Sequence, residues 1–401
     1  MNPEKGSCAR GAGHARGTAS ENGSGCRVSK RYVVLGGGGF IGSHLLDALL
    51  SQGRTDIVVV DTASDKIAHH RASPRLSLVE GATTEPRVRA ALEAEIPGAD
   101  AVINLAAICN PAQYTSRALD TMRANAIDIF PLVDLCAAHG RWLLHFSTSE
   151  VYGRTLRGHL SGGGDRAPDD GAGLVDIDEF AERTTPLVMG PVHNQRWCYA
   201  AAKQLVERYI FAHGRESGMP WTIVRPFNFF GPRMDYLQRT GAEGTPRVLA
   251  SFLSALLYGR PIQLVDGGTA RRTVVAIEDA IDAVLRMLAR PGQAQGEIFN
   301  IGNRDNEVSM RELALLMRRL FAEVTGDPRA ASHPVASVPA EAFYGAGYED
   351  CDRRMPRLER ARELLGWEPK RGLEDTLRAT IADLVATHQS ERMPLEASSG
   401  G

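Results

Sequence analysis

Tyr32-Val33-Val34-Leu35-Gly36-Gly37-Gly38-Gly39-Phe40-Ile41-Gly42 decides the fold of this chain. Four apolar residues predict a buried strand, and the glycines end it at once. Residues 40–52 then carry Ile41, Leu45, Leu46 and Leu49 on one helical face. Strand, Gly36-x-x-Gly39-x-x-Gly42 and helix in that order predict a phosphate-binding turn: glycine lets the backbone approach a pyrophosphate seated on the helix N-terminus. A second apolar run, Ile57-Val58-Val59-Val60, ends in Asp61. A carboxylate there accepts hydrogen bonds from an adenosine ribose and repels a 2′-phosphate, which favours NAD over NADP. Gly36, Gly39, Phe40, Ile41, Gly42 and Asp61 are the candidate dinucleotide contacts.

Outward from this turn, further buried strands are predicted at 76–79, 101–105, 142–146 and 221–224, with helices between. That alternation predicts an α/β fold with a Rossmann-type doubly wound parallel sheet. Leu105 and Ala106 close the fourth strand, where they would flank a nicotinamide ribose or serve as plain close packing. After Pro226 helices are expected near 246–258, 278–290, 309–324 and 373–387, with short strands near 262–265, 272–277 and 297–300. The expected organisation is a dinucleotide domain over 31–240, with return segments near 269–300, and a smaller interwoven substrate lobe over 241–389. Residues 1–30 and 390–401 read as polar tails outside the fold. The stretch 154–195 is rich in Gly, Asp and Pro without a sustained period, so a long active-site loop is expected there.

The chain has 401 residues, with 46 Lys and Arg against 48 Asp and Glu, a net charge of −2. Without a basic run, nucleic acid is excluded as an expected partner. No apolar run reaches the length of a membrane span, so no membrane contact is expected. The six cysteines contain no C-x-x-C pair and no zinc spacing. The expectation is reduced thiols in a cytoplasmic protein without a metal.

Chemistry enters with Ser147-Thr148-Ser149-Glu150 and, about fifty residues on, Tyr199 and Lys203. Tyr-x-x-x-Lys places a phenol and an ammonium one turn apart on a helix. A nearby ammonium favours the phenolate, so Tyr199 can take a hydroxyl proton while hydride leaves the same carbon. Thr148 can donate to the same oxygen. Glu150 adds a second acid/base group that simple alcohol oxidation does not require.

Longer strings carry a resemblance: Asn104-Leu105-Ala106-Ala107-Ile108-Cys109, Gln195-Arg196-Trp197-Cys198-Tyr199, Arg225-Pro226-Phe227-Asn228 with Arg233, Gly244-Thr245-Pro246-Arg247, and Tyr344-Gly345-x-Gly347-Tyr348. Over residues 32–388 the chain resembles the extended short-chain dehydrogenase/reductases, and within them the UDP-glucuronate decarboxylases that form UDP-apiose and UDP-xylose. The resemblance implies NAD+, UDP-glucuronate and a homodimer joined through helices near 117–138 and 199–214. It implies oxidation at C4 by Tyr199, Lys203 and Thr148, then carboxylate loss aided by Glu150 and Arg354. It also implies substrate contacts from Tyr114, Arg196, Asn228, Arg233, Arg247, Arg272, Tyr348 and Arg354. Apiose-forming members carry two cysteines linked to ring contraction. One matches Cys109, which is either a polarisable thiol beside the sugar or a small packed residue. The other position holds Ser149. Formation of UDP-xylose or a UDP-4-keto-pentose without ring contraction is therefore the alternative; C4 epimerisation and a non-catalytic NAD-binding protein stand further off. Gly81-Ala82 and Gln263 also depart from the family's usual residues, near the adenine and the nucleotide.

Overall fold

The computed structural model describes residues 29–160, 174–177, 179–234, 247–344 and 349–388. Its centre is a seven-stranded sheet of β1 (Lys30–Leu35), β2 (Thr55–Asp61), β3 (Leu76–Glu80), β4 (Ala101–Asn104), β5 (Trp142–Phe146), β6 (Trp221–Pro226) and β7 (Glu297–Ile301). The order across the sheet is β7-β6-β5-β4-β1-β2-β3, and every neighbouring pair is parallel. Parallel strands need covering on both faces, which is why they read as unbroken apolar runs. Val34, Ile57 and Val59 point into one core; Val33, Leu35, Val58 and Val60 point into the other.

Helices fill both sides. On the first lie α1 (Phe40–Ser51), through Leu45, Leu46 and Leu49, and the later helix Ile277–Ala289. On the second lie Pro86–Glu95, through Val88 and Leu92, and Cys198–Glu216, through Val206 and Ile210. The strand order turns around between β1 and β4, and a crevice opens beyond their carboxyl ends, where ligands of such sheets bind.

The smaller lobe is built largely from later residues. Arg271–Thr273 lies between Glu307–Ser309 and Arg353–Pro356, and the last of these pairs with Glu179–Phe180. Helix Met310–Thr325 is held by a Ser309/Glu312 capping box and stopped by Gly326 in the left-handed conformation. β7 carries the chain back to the edge of the central sheet.

Three expectations are corrected. The stretch 154–195 is not a plain loop, because Leu156–Leu160 pairs antiparallel with Leu174–Ile177 and Glu179–Phe180 joins Arg353–Pro356. The second pairing partner lies far along the chain, so local pattern could not reveal it. The single strand near 272–277 is two: Arg271–Thr273 and Val275–Ala276, the latter pairing with Phe229–Phe230. The helix near 117–138 is broken into Ala118–Met122, a wider π turn over Arg123–Ile127 and Phe130–Ala138.

Candidate active site

The glycine turn is defined by what cannot be added to it. A Cβ on Gly38 would stand 1.9 Å from the Ala63 carbonyl oxygen, and one on Gly42 would meet the carbonyls of Gly36 and Gly37 at 2.5 Å. Gly36, with φ +77, lies where a Cβ would be 2.7 Å from the Ala106 amide, so β1 and β4 end in backbone contact. Helix α1 begins after Gly39 with no side-chain cap, and its first-turn amides carry the positive end of the helix dipole. Asp61 accepts from the Gly38 amide at 2.8 Å and from the Ala63 amide at 3.1 Å. Each carboxylate oxygen keeps a second lone pair for a ribose hydroxyl. This cradle fits a dinucleotide. Gly38, absent from the expected contacts, is its tightest point; the four-glycine run was the signal.

Beside it lies a cavity of about 700 Å³. Phe40, Ile41 and Leu105 form its dinucleotide end, and Thr148, Ser149, Glu150, Tyr199 and Arg354 stand further in. Cys109, Tyr114, Arg196, Asn228, Arg247 and Arg272 complete the expected residues on its wall. The structure thus gathers residues spread over more than 200 positions.

Tyr199 is 5 % exposed and stacks on Tyr114, with ring centroids 4.8 Å apart and planes 10° from parallel. Burial pushes its phenol well above the ordinary value, with the charges of Cys109 and Glu150 adding to the rise; the Thr148 hydroxyl and the Arg247 charge pull the other way. Thr148 also accepts from the Glu150 amide at 3.1 Å, which turns the chain sharply at the end of β5. Lys203 is buried behind the wall, and its Nζ donates to the Phe146 carbonyl at 2.9 Å. Burial brings its ammonium down to about 8, against the opposing pull of Cys109 and Glu207. At Tyr199 burial therefore outweighs the groups that favour the phenolate.

The other end is ionic. Arg196 Nη1 lies 2.6 Å from Glu150 Oε2, and Arg354 Nη1 lies 4.0 Å from Glu150 Oε1. A second carboxylate, Asp350, faces Arg272 at 2.7 Å, Arg354 at 3.5 Å and Arg196 at 3.7 Å. Burial works to raise the Asp350 carboxyl, but the charges of Arg272, Arg196 and Arg354 hold it well below the usual carboxylate range. Asp350 escaped the sequence reading; its only signal was proximity to Arg354.

Asn228 holds a left-handed backbone, φ +50, and its side-chain amide donates to the Thr273 carbonyl at 2.8 Å. Arg233 is a correction: it is not on the cavity wall. Its guanidinium is taken by Asp47 at 2.5 Å and His44 at 3.0 Å on α1, while its amide donates to Asp383. The amide contact to Asp383 joins the two lobes. Tyr348 lies outside the described residues.

A family model described as the NAD dependent epimerase/dehydratase family matches residues 32–302. The UDP-D-apiose/UDP-D-xylose synthase of Oryza sativa subsp. japonica is 44% identical over 357 residues, 87% of each chain. UDP-D-apiose/UDP-D-xylose synthase 1 of Arabidopsis thaliana is 43% identical, over 87% of this chain and 89% of its own. Among solved structures, the PbgP3 protein of Burkholderia pseudomallei superposes with a TM-score of 0.76 at 30% identity, covering 90% of this chain and 98% of that one.

Proposed function

Because the chain belongs to the NAD-dependent epimerase/dehydratase family, we propose that it converts UDP-glucuronate, with NAD+, through a 4-keto intermediate into UDP-apiose and UDP-xylose. The carrying observation is that one cavity wall holds both the Tyr199–Thr148 pair and Glu150 with Arg196 and Arg354. A plain 4-epimerase needs only the first set. When bound, NAD+ would supply the hydride acceptor and donor for C4.

The chain's own residues do the rest. The Gly36–Gly42 turn and Asp61 would hold the dinucleotide, and Leu105 and Ala106 would flank its nicotinamide end. Tyr199 takes the C4 hydroxyl proton, Thr148 donates to that oxygen, and Lys203 tunes the phenol from behind. The 4-keto sugar is a β-keto acid. Its C5–C6 bond breaks with the electron pair entering the ketone as carbon dioxide leaves, and Glu150 relays a proton from solvent to C5 as the enolate collapses back to the ketone. Arg354 orients the departing carboxylate, and Arg196 carries Glu150. Tyr114, Asn228, Arg247 and Arg272 hold the sugar and the diphosphate, arginine because its planar fork donates paired hydrogen bonds.

Ring contraction requires C2–C3 cleavage near Cys109 and Ser149, both on the cavity wall. Ser149 favours the second outcome, UDP-xylose or a released UDP-4-keto-pentose, since a hydroxyl is a poor thiolate substitute.

We further assign the enzyme to the cytoplasm as a homodimer. No helix among the described residues is long and apolar enough to cross a membrane, and Cys109, Cys136, Cys198 and Cys351 are all free. Leu119, Ile127, Leu205 and Phe211, each at least half exposed, supply apolar surface for a helical dimer contact. The test is incubation with UDP-glucuronate and NAD+, with NMR of the sugar product. Branched-pentose signals together with released carbon dioxide are expected; unchanged UDP-glucuronate overturns the reading.

A further inference from the structure

Glu150, Arg196, Asp350 and Arg354 form a closed ring of alternating charge. Arg196 and Arg354 each bridge the two carboxylates: 2.6 and 4.0 Å to Glu150, 3.7 and 3.5 Å to Asp350. Arg272 joins from outside, 2.7 Å from Asp350. The ring members come from four places: the turn after β5, the turn before helix Cys198–Glu216, the segment at 349–352 and strand Arg353–Pro356. Arg196 and Arg354 are only 5 % and 4 % exposed. Charges held this far from water are weakly screened and act strongly on one another.

Resting on the decarboxylase reading, we infer that Asp350 is a positioning residue for carboxylate loss: it draws Arg354 off Glu150, which Arg196 already holds at 2.6 Å, so that Arg354 neither locks onto Glu150 nor over-binds the carboxylate of the substrate. A guanidinium offered an isolated carboxylate prefers the bidentate fork. Arg354 instead stands 4.0 Å from Glu150 and leans to Asp350. Charge counting gives the same result. Within the ring two arginines balance two carboxylates. Removing the Asp350 charge leaves a formal +1, which grips the substrate's carboxylate harder in the ground state. Only stabilisation gained on the way to the transition state speeds a reaction, so this tighter grip slows departure of carbon dioxide.

The test is D350N, with single-turnover NADH formation, carbon dioxide release and binding of UDP-glucuronate and UDP-xylose measured on one preparation. Carbon dioxide release is expected to slow about tenfold or more while NADH formation changes less than about threefold. The preference for UDP-glucuronate over UDP-xylose, which isolates the carboxylate from the shared UDP, is expected to rise at least about threefold. D350E, which keeps the charge, is expected to restore both quantities most of the way. Equal slowing of both steps, an unchanged binding preference or wild-type behaviour overturns the inference. If D350N does not fold, D350S removes the same charge with a smaller side chain and is held to the same outcomes. A wild-type enzyme that releases no carbon dioxide from UDP-glucuronate is a separate outcome, and it defeats the decarboxylase reading itself.

Discussion

The two ends of the cavity are built on opposite plans. The dinucleotide end is made of backbone: amides at the start of α1, a turn from which side chains are excluded, and one acid at the end of β2. The far end is made of long side chains, chiefly arginines, from segments that share no local sequence. The difference teaches where each end is vulnerable. A backbone cradle fails when an atom is added. A side-chain ring fails when a charge is removed.

The largest effect expected lies where the two ends meet. Y199F removes the proton acceptor, and NADH formation on UDP-glucuronate should fall by about 10²–10⁴-fold. Equilibrium binding of NAD+ should change little, so a comparable loss of NAD+ affinity would make Tyr199 a structural residue.

G38A breaks the backbone end by addition. With its Cβ 1.9 Å from the Ala63 carbonyl, the turn must shift, and NAD+ affinity should drop about 100-fold as amides leave the pyrophosphate. UDP binding, measured by calorimetry, should hold; parallel loss of both ligands would erase the separation of the two ends. R272A is the converse. Loss of a charged hydrogen-bonding partner, worth about 1.5–3 kcal/mol, should weaken UDP-xylose about 10- to 100-fold and leave NAD+ binding intact.

D61N sharpens the cofactor end: about tenfold weaker NAD+ and a smaller preference over NADP+, read by competition. A smaller signal comes from Lys203. Its folded value of about 8 lies below the ordinary 10.5 of a lysine, so between those pH values the unfolded chain holds the proton that the folded chain has lost. Stability contributed by this group therefore rises with pH from about 8 to 10.5, by at most about 1.4 kcal/mol per pH unit, and the buried charge is a penalty below that window. Urea midpoints followed across the window should lose this rise in K203M.

Strand, glycine turn, helix and terminal acid were legible because each is local. A Cβ that cannot fit or an apolar run that must be buried leaves its mark on neighbouring residues. Tyr199 and Lys203 were legible for the same reason, lying one turn apart. The ionic end was only partly so. Arg196, Arg272 and Arg354 entered through the resemblance, and Asp350 did not enter at all, because an acid in a charged stretch looks solvated until the fold buries it. Arg233 went astray for the mirror reason: its family position is readable, but Asp47 and His44 on α1 take its guanidinium. The strands within 154–195 were hidden because they are short and because Glu179–Phe180 finds its partner only beyond residue 350.

By itself the sequence determined the doubly wound sheet, the dinucleotide turn and the placing of Tyr199 and Lys203 one turn apart on a helix, since each rests on steric and helical constraints within a few residues. Only the tertiary structure decided which arginines face the cavity, which one ties the lobes together, and that Asp350 stands among three of them. Long charged side chains find their partners across the fold, and their pairing is set by burial and Coulomb attraction between segments that are neighbours only in space.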